Sequence, residues 1–157
     1  MSTHTRFALL ALVLCAVLVA GARRAAAAPT AARTQAHSLM VGEKAVKIAR
    51  TFLGVRYVYG GSSPRSGFDC SGFVRYVYER LGMSLPHSSY AQFDLGRRVA
   101  RRWLRPGDLV FFDGIGHGGI YIGHNLFIHA PHTGTSVSID SLVGWYGARY
   151  DGARRLA

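Results

Sequence analysis

The chain has 157 residues, 49% of them apolar, and 19 glycines, which suits one domain with a real buried core. Nineteen Lys and Arg against eight Asp and Glu give a formal charge of +11, which points to a polyanionic partner or an anionic surface. No nucleic-acid-binding motif accompanies that charge, so nucleic acid is not expected as the partner.

Arg6 precedes an apolar run, Phe7 to Ala20, and small residues then crowd Gly21 to Ala28. Residues 1–28 read as a secretory signal peptide, because the run falls short of the roughly 20 apolar residues a spanning helix needs. Export to the periplasm or beyond the cell follows. Cys15 lies in mid-run behind bulky Leu14, a poor site for lipid attachment, and Arg23 and Arg24 leave the cleaved bond open between Ala22 and Ala28. Cleavage lowers the charge to +8 and leaves Cys70 as the single cysteine. In an oxidising compartment such a cysteine is either an intermolecular link or a reactive thiol.

Residues 29–40 are small and polar and read as a flexible lead; residues 41–157 form the domain. Val41 to Leu53 is an amphipathic helix, with Val41, Ala45, Ile48, Ala49 and Phe52 on one stripe and Gly54 at its end. Tyr57 follows, readable as a packed core tyrosine or as a hydroxyl donor to an oxyanion. Gly60-Gly61 lacks the Lys-Ser/Thr that would make it a phosphate loop. Next comes Gly67-Phe68-Asp69-Cys70-Ser71-Gly72-Phe73, after which Phe73, Val74, Val77, Tyr78 and Leu81 repeat at helical spacing. Cys70 therefore sits in the first turn of a helix, where free N–H groups and the dipole are expected to lower its pKa. A buried structural cysteine is the alternative, and the flanking glycines and polar Asp69 and Ser71 argue against it.

Ser88 or Ser89 caps a second short helix running to about Leu95. Arg97, Arg98, Arg101, Arg102 and Arg105 then form either a solvated face or a surface for an anionic cell envelope. Leu109 to Phe112 is a buried strand. His117 to Ala130 reads as a hairpin turning at Gly123 to Asn125; with a three-residue loop Ile122 pairs with Leu126, and His117, Gly119, Tyr121, Phe127 and His129 share one face. A two-residue loop would part the histidines. Two imidazoles and a thiol can hold zinc, but the short-spaced ligand pairs of zinc sites are missing, and no cofactor or metal is expected. Attack by Cys70, with His117 as base and His129 behind it, fits better. His37, His87, His124 and His132 read as surface residues. Strands at Ser136 to Asp140 and Ala148 to Arg155, with a turn around Leu142 to Trp145, complete an α+β domain: N-terminal helices on an antiparallel sheet of about five to six strands.

Tyr57-Val58-Tyr59-Gly60-Gly61, Phe68-Asp69-Cys70-Ser71-Gly72-Phe73, Pro106-Gly107-Asp108-Leu109, His117-Gly118-Gly119-Ile120-Tyr121-Ile122-Gly123 and Phe127-Ile128-His129-Ala130, in that order, resemble the NlpC-type papain-like cell-wall peptidases. The resemblance implies a cysteine endopeptidase that cuts peptidoglycan stem peptides, commonly next to diaminopimelate; a monomer is expected. It implies Cys70 as nucleophile, His117 as base, His129 as third polar residue and Tyr57 on the oxyanion side; Asp69 and Ser71, on either side of Cys70, are expected as oxyanion or substrate contacts. Gly118 stands where the family usually has valine, which should loosen the strand beside His117, and His87 where arginine is common. An amidase or transpeptidase on the same scaffold, or an inactive wall-binding module, are the alternatives.

Overall fold

A computed structural model describes residues 30–156. The signal peptide expected over residues 1–28 lies outside them. The chain divides into two units, residues 1–37 and 38–157. In the smaller, residues 30–37 are helical and exposed, and in the larger, residues 38–50 form the helix α1. The flexible lead expected over 29–40 is thus helical from 30 onward. Ala31, Ala32 and Ala36 explain the difference, since alanine has the highest intrinsic helix propensity. No helix of the described residues is long and apolar enough to cross a membrane.

The larger unit contains β1 (Ser62–Ser63), β2 (Gly67–Phe68), α2 (Cys70–Glu79), α3 (Ser89–Phe93), β3 (Arg97–Arg98), β4 (Leu109–Phe112), β5 (His117–Gly123), β6 (Leu126–His129), β7 (Ser138–Ser141) and β8 (Tyr150–Arg155). β1 and β2 make a small ribbon. The rest form a six-stranded antiparallel sheet in the order β3-β8-β4-β5-β6-β7. The short strand β3, unforeseen in the sequence, uses Arg97 and Arg98 to close the sheet edge, and a 3-10 turn follows at Arg101–Trp103.

The sheet is apolar on both faces because α1 and α2 cover one and the chain's own loops cover the other. Ile120, Ile122 and Ile128 pack with Phe68, Phe73, Val74 and Val77 of the helical side. Val110, Phe112, Tyr121 and Phe127 pack with Leu142 and Tyr146 opposite. Period-two alternation along β5 and β6 divides the two sets.

The hairpin β5–β6 differs from expectation in a way that leaves its outcome intact. Its loop has two residues, His124 and Asn125, with φ of 53° and 57°, and Gly123 pairs with Leu126. Positive φ at both central positions is the geometry of a type I′ turn, which asparagine tolerates. Such a loop alone would put His117 and His129 on opposite faces. A bulge corrects the phase: between Tyr121↔Phe127 and Gly123↔Leu126 the residue Ile122 is supernumerary. Beyond the bulge Ile120 pairs with Ile128, so Gly119 and His129 come level and His117 shares their face. Gly119 is required there, because a Cβ would lie 2.8 Å from the Ile128 carbonyl oxygen and 2.9 Å from the His129 Cβ.

A buried ionic clasp locks the start of β4 to the end of β8. Arg155 donates to both oxygens of Asp108, each bond 2.6 Å, and to the Trp103 carbonyl at 3.0 Å. Asp108 also accepts from the Arg105 backbone N–H, and Tyr78 of α2 donates to the neighbouring Gly107 carbonyl. Arg155 stands opposite Arg97, and Arg154 opposite Arg98. Like charges facing across a ladder repel, so the clasp and the stacking of Arg154 on the Phe93 ring at 3.6 Å offset a cost inherent in β3. Arg155→Ala leaves Asp108 buried without its cation and is expected to lower the unfolding free energy by about 3–5 kcal/mol in a urea titration; a loss under about 1 kcal/mol would contradict the clasp.

Candidate active site

Cys70 opens α2, and its position is fixed by the residue before it. Asp69 is the N-cap, in extended conformation, accepting from the Gly72 N–H at 2.6 Å and from the Ser71 hydroxyl at 3.2 Å. Its other oxygen accepts from the Gly60 N–H at 3.0 Å, and the His87 Nε2 lies 2.9 Å from both oxygens. One carboxylate thus ties together the helix start, the Gly60-Gly61 turn and the segment before α3. Gly72 must be glycine, since a Cβ there would sit 2.1 Å from the Gly61 carbonyl oxygen. Behind the turn, Gln92 of α3 donates to the Ser71 carbonyl at 2.9 Å and the Pro86 carbonyl at 2.8 Å. His87, read from the sequence as a surface residue, is instead part of this site.

The sulfur meets β5 where the strand begins. The backbone N–H groups of Gly118, Ser71 and Cys70 itself lie around it and favour its thiolate. Gly118 keeps its place in the ladder opposite Phe111. The thiol's pKa is nevertheless raised, by burial first and by the Asp69 charge second, against those three donors. The lowered pKa expected from the helix start is therefore overturned: desolvation and an adjacent carboxylate outweigh the N–H groups. Tyr57 lines the same cleft as Cys70, Asp69 and His87, and its hydroxyl is raised by burial and then by Cys70.

His117 and His129 meet as their shared face requires. His117 Nε2 and His129 Nδ1 are 2.7 Å apart. His129 is fully buried, its ring 4.5 Å from Phe127 and edge-on to Tyr146 at 5.2 Å. Its second nitrogen, Nε2, lies 2.8 Å from the Asp140 carboxylate. Burial, then His129, then His132 push the His117 pKa down to about 3, opposed by Asp140. His129 is lowered by burial, against its hydrogen bond to Asp140. Both rings are therefore neutral at neutral pH. The clefts of Cys70 and His117 adjoin at Gly116, which lines both.

A thiol at a helix start, a neutral imidazole on the adjoining strand and a line of polar groups behind it can carry acyl transfer. The family model for the NlpC/P60 family matches residues 54–155. This chain belongs to the NlpC/P60 family. It is 40% identical over 143 residues to the gamma-DL-glutamyl hydrolase of Bacillus subtilis, covering 87% of this chain and 32% of that one. It is 46% identical over 108 residues to the murein DD-endopeptidase MepS/murein LD-carboxypeptidase of Escherichia coli, covering 66% and 56%. A crystal structure of an NlpC/P60 family protein from Bacillus cereus superposes with a TM-score of 0.69 at 37% identity, covering 73% and 40%. The chain spans about a third to a half of the curated relatives named.

Within the NlpC/P60 frame, sequence reasoning missed Asp140, the Tyr146 ring and the Gly118 N–H. The last two carry no motif. Asp140 carries none either, because what brings it to His129 is the pairing of β7 with β6. The thiol and imidazole both being neutral predicts how Cys70 titrates. With its pKa raised, thiolate appears only above the ordinary cysteine range, so alkylation of the resting protein by iodoacetamide should still be accelerating at about pH 9. A rate already level below about pH 7 would mean a preformed thiolate–imidazolium pair.

Proposed function

We propose that this protein is an exported peptidoglycan endopeptidase that hydrolyses stem-peptide amide bonds next to diaminopimelate, with Cys70, His117 and His129 as its catalytic line. The supporting observation is the 2.7 Å contact between His117 and His129 at a cleft that adjoins that of Cys70 at Gly116, in a chain of the NlpC/P60 family. Relatives named as murein endopeptidases favour the substrate. Residues 1–28 would direct export, and the domain would act as a monomer over residues 41–157. Arg97, Arg98 and Arg102, all exposed, would hold it near an anionic envelope, whereas Arg101 is engaged with the Leu142 carbonyl and the Tyr150 ring.

In this reading the substrate carbonyl enters the cleft at Cys70. As the sulfur attacks, its proton passes to neutral His117, so no buried ion pair has to exist before substrate arrives. The carbonyl oxygen becomes an oxyanion, and N–H groups at the start of α2 together with the Tyr57 hydroxyl are the donors at hand. Collapse expels the amine, which takes the proton from His117. Water, deprotonated by the same imidazole, then cleaves the thioester and restores the thiol. Asp69 and Ser71, expected from the sequence as oxyanion or substrate contacts, act chiefly by holding Cys70, since the Asp69 oxygens are already occupied.

A second reading rests on the relative named gamma-DL-glutamyl hydrolase, matched over 87% of this chain: the same groups would cut γ-linked DL-glutamyl amides. Digesting purified peptidoglycan and poly-γ-glutamate with the wild type and Cys70→Ala, and identifying products by mass spectrometry, decides between them. The proposal expects new stem-peptide termini from peptidoglycan with wild type alone. Equal release by Cys70→Ala would remove the nucleophile, and release from poly-γ-glutamate alone would favour the second reading.

A further inference from the structure

His129 is buried between Phe127 and Tyr146, so each ring nitrogen has one protein partner and no solvent. Nδ1 faces His117 at 2.7 Å and Nε2 faces Asp140 at 2.8 Å. A neutral imidazole carries one donor and one acceptor, and which nitrogen holds the proton is set by the partner of the other. Two neutral imidazoles in contact leave that choice open, because each ring can play either role. A carboxylate does not, for it only accepts.

We propose that Asp140 is a positioning residue for the hydrolysis proposed above, on which this inference rests: its carboxylate holds His129 in the Nε2–H tautomer, so that Nδ1 accepts from His117 Nε2–H and the lone pair of His117 is left on Nδ1, the nitrogen that takes the Cys70 proton. With the opposite tautomer, His129 Nδ1–H would donate to His117 Nε2. The bare nitrogen of His117 would then be tied up inside the relay, and the ring would present an N–H to the thiol. That ring cannot act as a base. Asp140 therefore decides which end of a two-histidine chain is basic, although it lies beyond contact with any reacting atom.

Three features of β7 suit Asp140 to this task. Pairing of His129 with Ser138 and of Phe127 with Asp140 sets the carboxylate diagonally across from the His129 ring, within reach of its far nitrogen. The Ser138 hydroxyl donates to the same Asp140 oxygen at 3.2 Å, fixing the carboxylate's orientation. The Asp140 side chain is 43% exposed while His129 is fully buried, so the negative charge stays partly hydrated as it anchors a ring that is not. When His117 takes the proton, its Nε2–H still points to His129 and the His129 Nε2–H still points to Asp140. The new positive charge is stabilised along the relay, and no second proton moves.

The test reads the tautomer directly. In full-length protein labelled with 15N-histidine, long-range 1H–15N spectra at neutral pH should show His129 protonated at Nε2 and bare at Nδ1, and His117 likewise. Asp140→Asn keeps the shape but can offer an amide N–H in place of an obligate acceptor. It should populate the other His129 tautomer and lower kcat on a muropeptide by about 10- to 100-fold, the usual effect of removing a group that orients a working histidine. KM should stay within about twofold of wild type, since Asp140 lies outside the Cys70 cleft. His129 protonated at Nδ1 in the wild type, or Asp140→Asn with unchanged tautomer and unchanged kcat, would overturn the assignment. A wild type without hydrolytic activity would count against the proposed function, while the spectra would still decide the tautomer.

Discussion

The register of one hairpin underlies the candidate site. A two-residue type I′ turn and one extra residue, Ile122, together set which way every side chain of β5 points relative to β6. With this phase His117 and His129 share a face and meet at 2.7 Å, while Ile120, Ile122 and Ile128 face the helices. A slip of one strand by one residue would turn its own set over, parting the two histidines and driving one of them into the aliphatic core. Burial of the isoleucines thus enforces the placement of the histidines, so the hydrophobic core and the polar line are specified by the same constraint.

The second fixed point is Asp69. A single carboxylate caps α2, holds the Gly60 turn and engages His87, so the sulfur is delivered to β5 by backbone geometry rather than by the packing of its own side chain. That arrangement carries an electrostatic cost. The negative charge next to Cys70 opposes ionisation of the thiol, and burial adds to it. The imidazole opposite is pushed the other way by its own burial. The thiol and the imidazole are thus both uncharged at rest, and in the proposed reaction charge separation would wait for the encounter with substrate, where donors at the helix start would receive the oxyanion.

Much of this was legible in the sequence. The helix opening at Cys70, the cap at Ser88 and the buried strand at Leu109 all follow from periodicity and capping chemistry, which act over a few residues. What was not legible depends on distant parts of the chain. The bulge at Ile122 arises because both faces of the hairpin must match cores built from residues far away, and the three-residue loop read from the sequence reached the right face by the wrong route. His87 looked like a surface residue because its partner, Asp69, is distant in sequence. The raised thiol pKa was hidden for the same reason: helix-start chemistry is local, whereas desolvation depends on what packs around it. Asp140 belongs to a strand whose pairing with β6 is invisible to local pattern.

In the proposed reaction the Cys70 sulfur forms the covalent intermediate, and His117 is the base that makes it do so. Rapid acid quench of the protein mixed with a muropeptide, followed by intact-mass and peptide mapping, measures this directly. An adduct with the mass of the acyl half of the substrate is expected on the peptide containing Cys70, and none in His117→Ala. Product formation with no adduct on Cys70 at any quench time, or an adduct forming at the wild-type rate in His117→Ala, would contradict it.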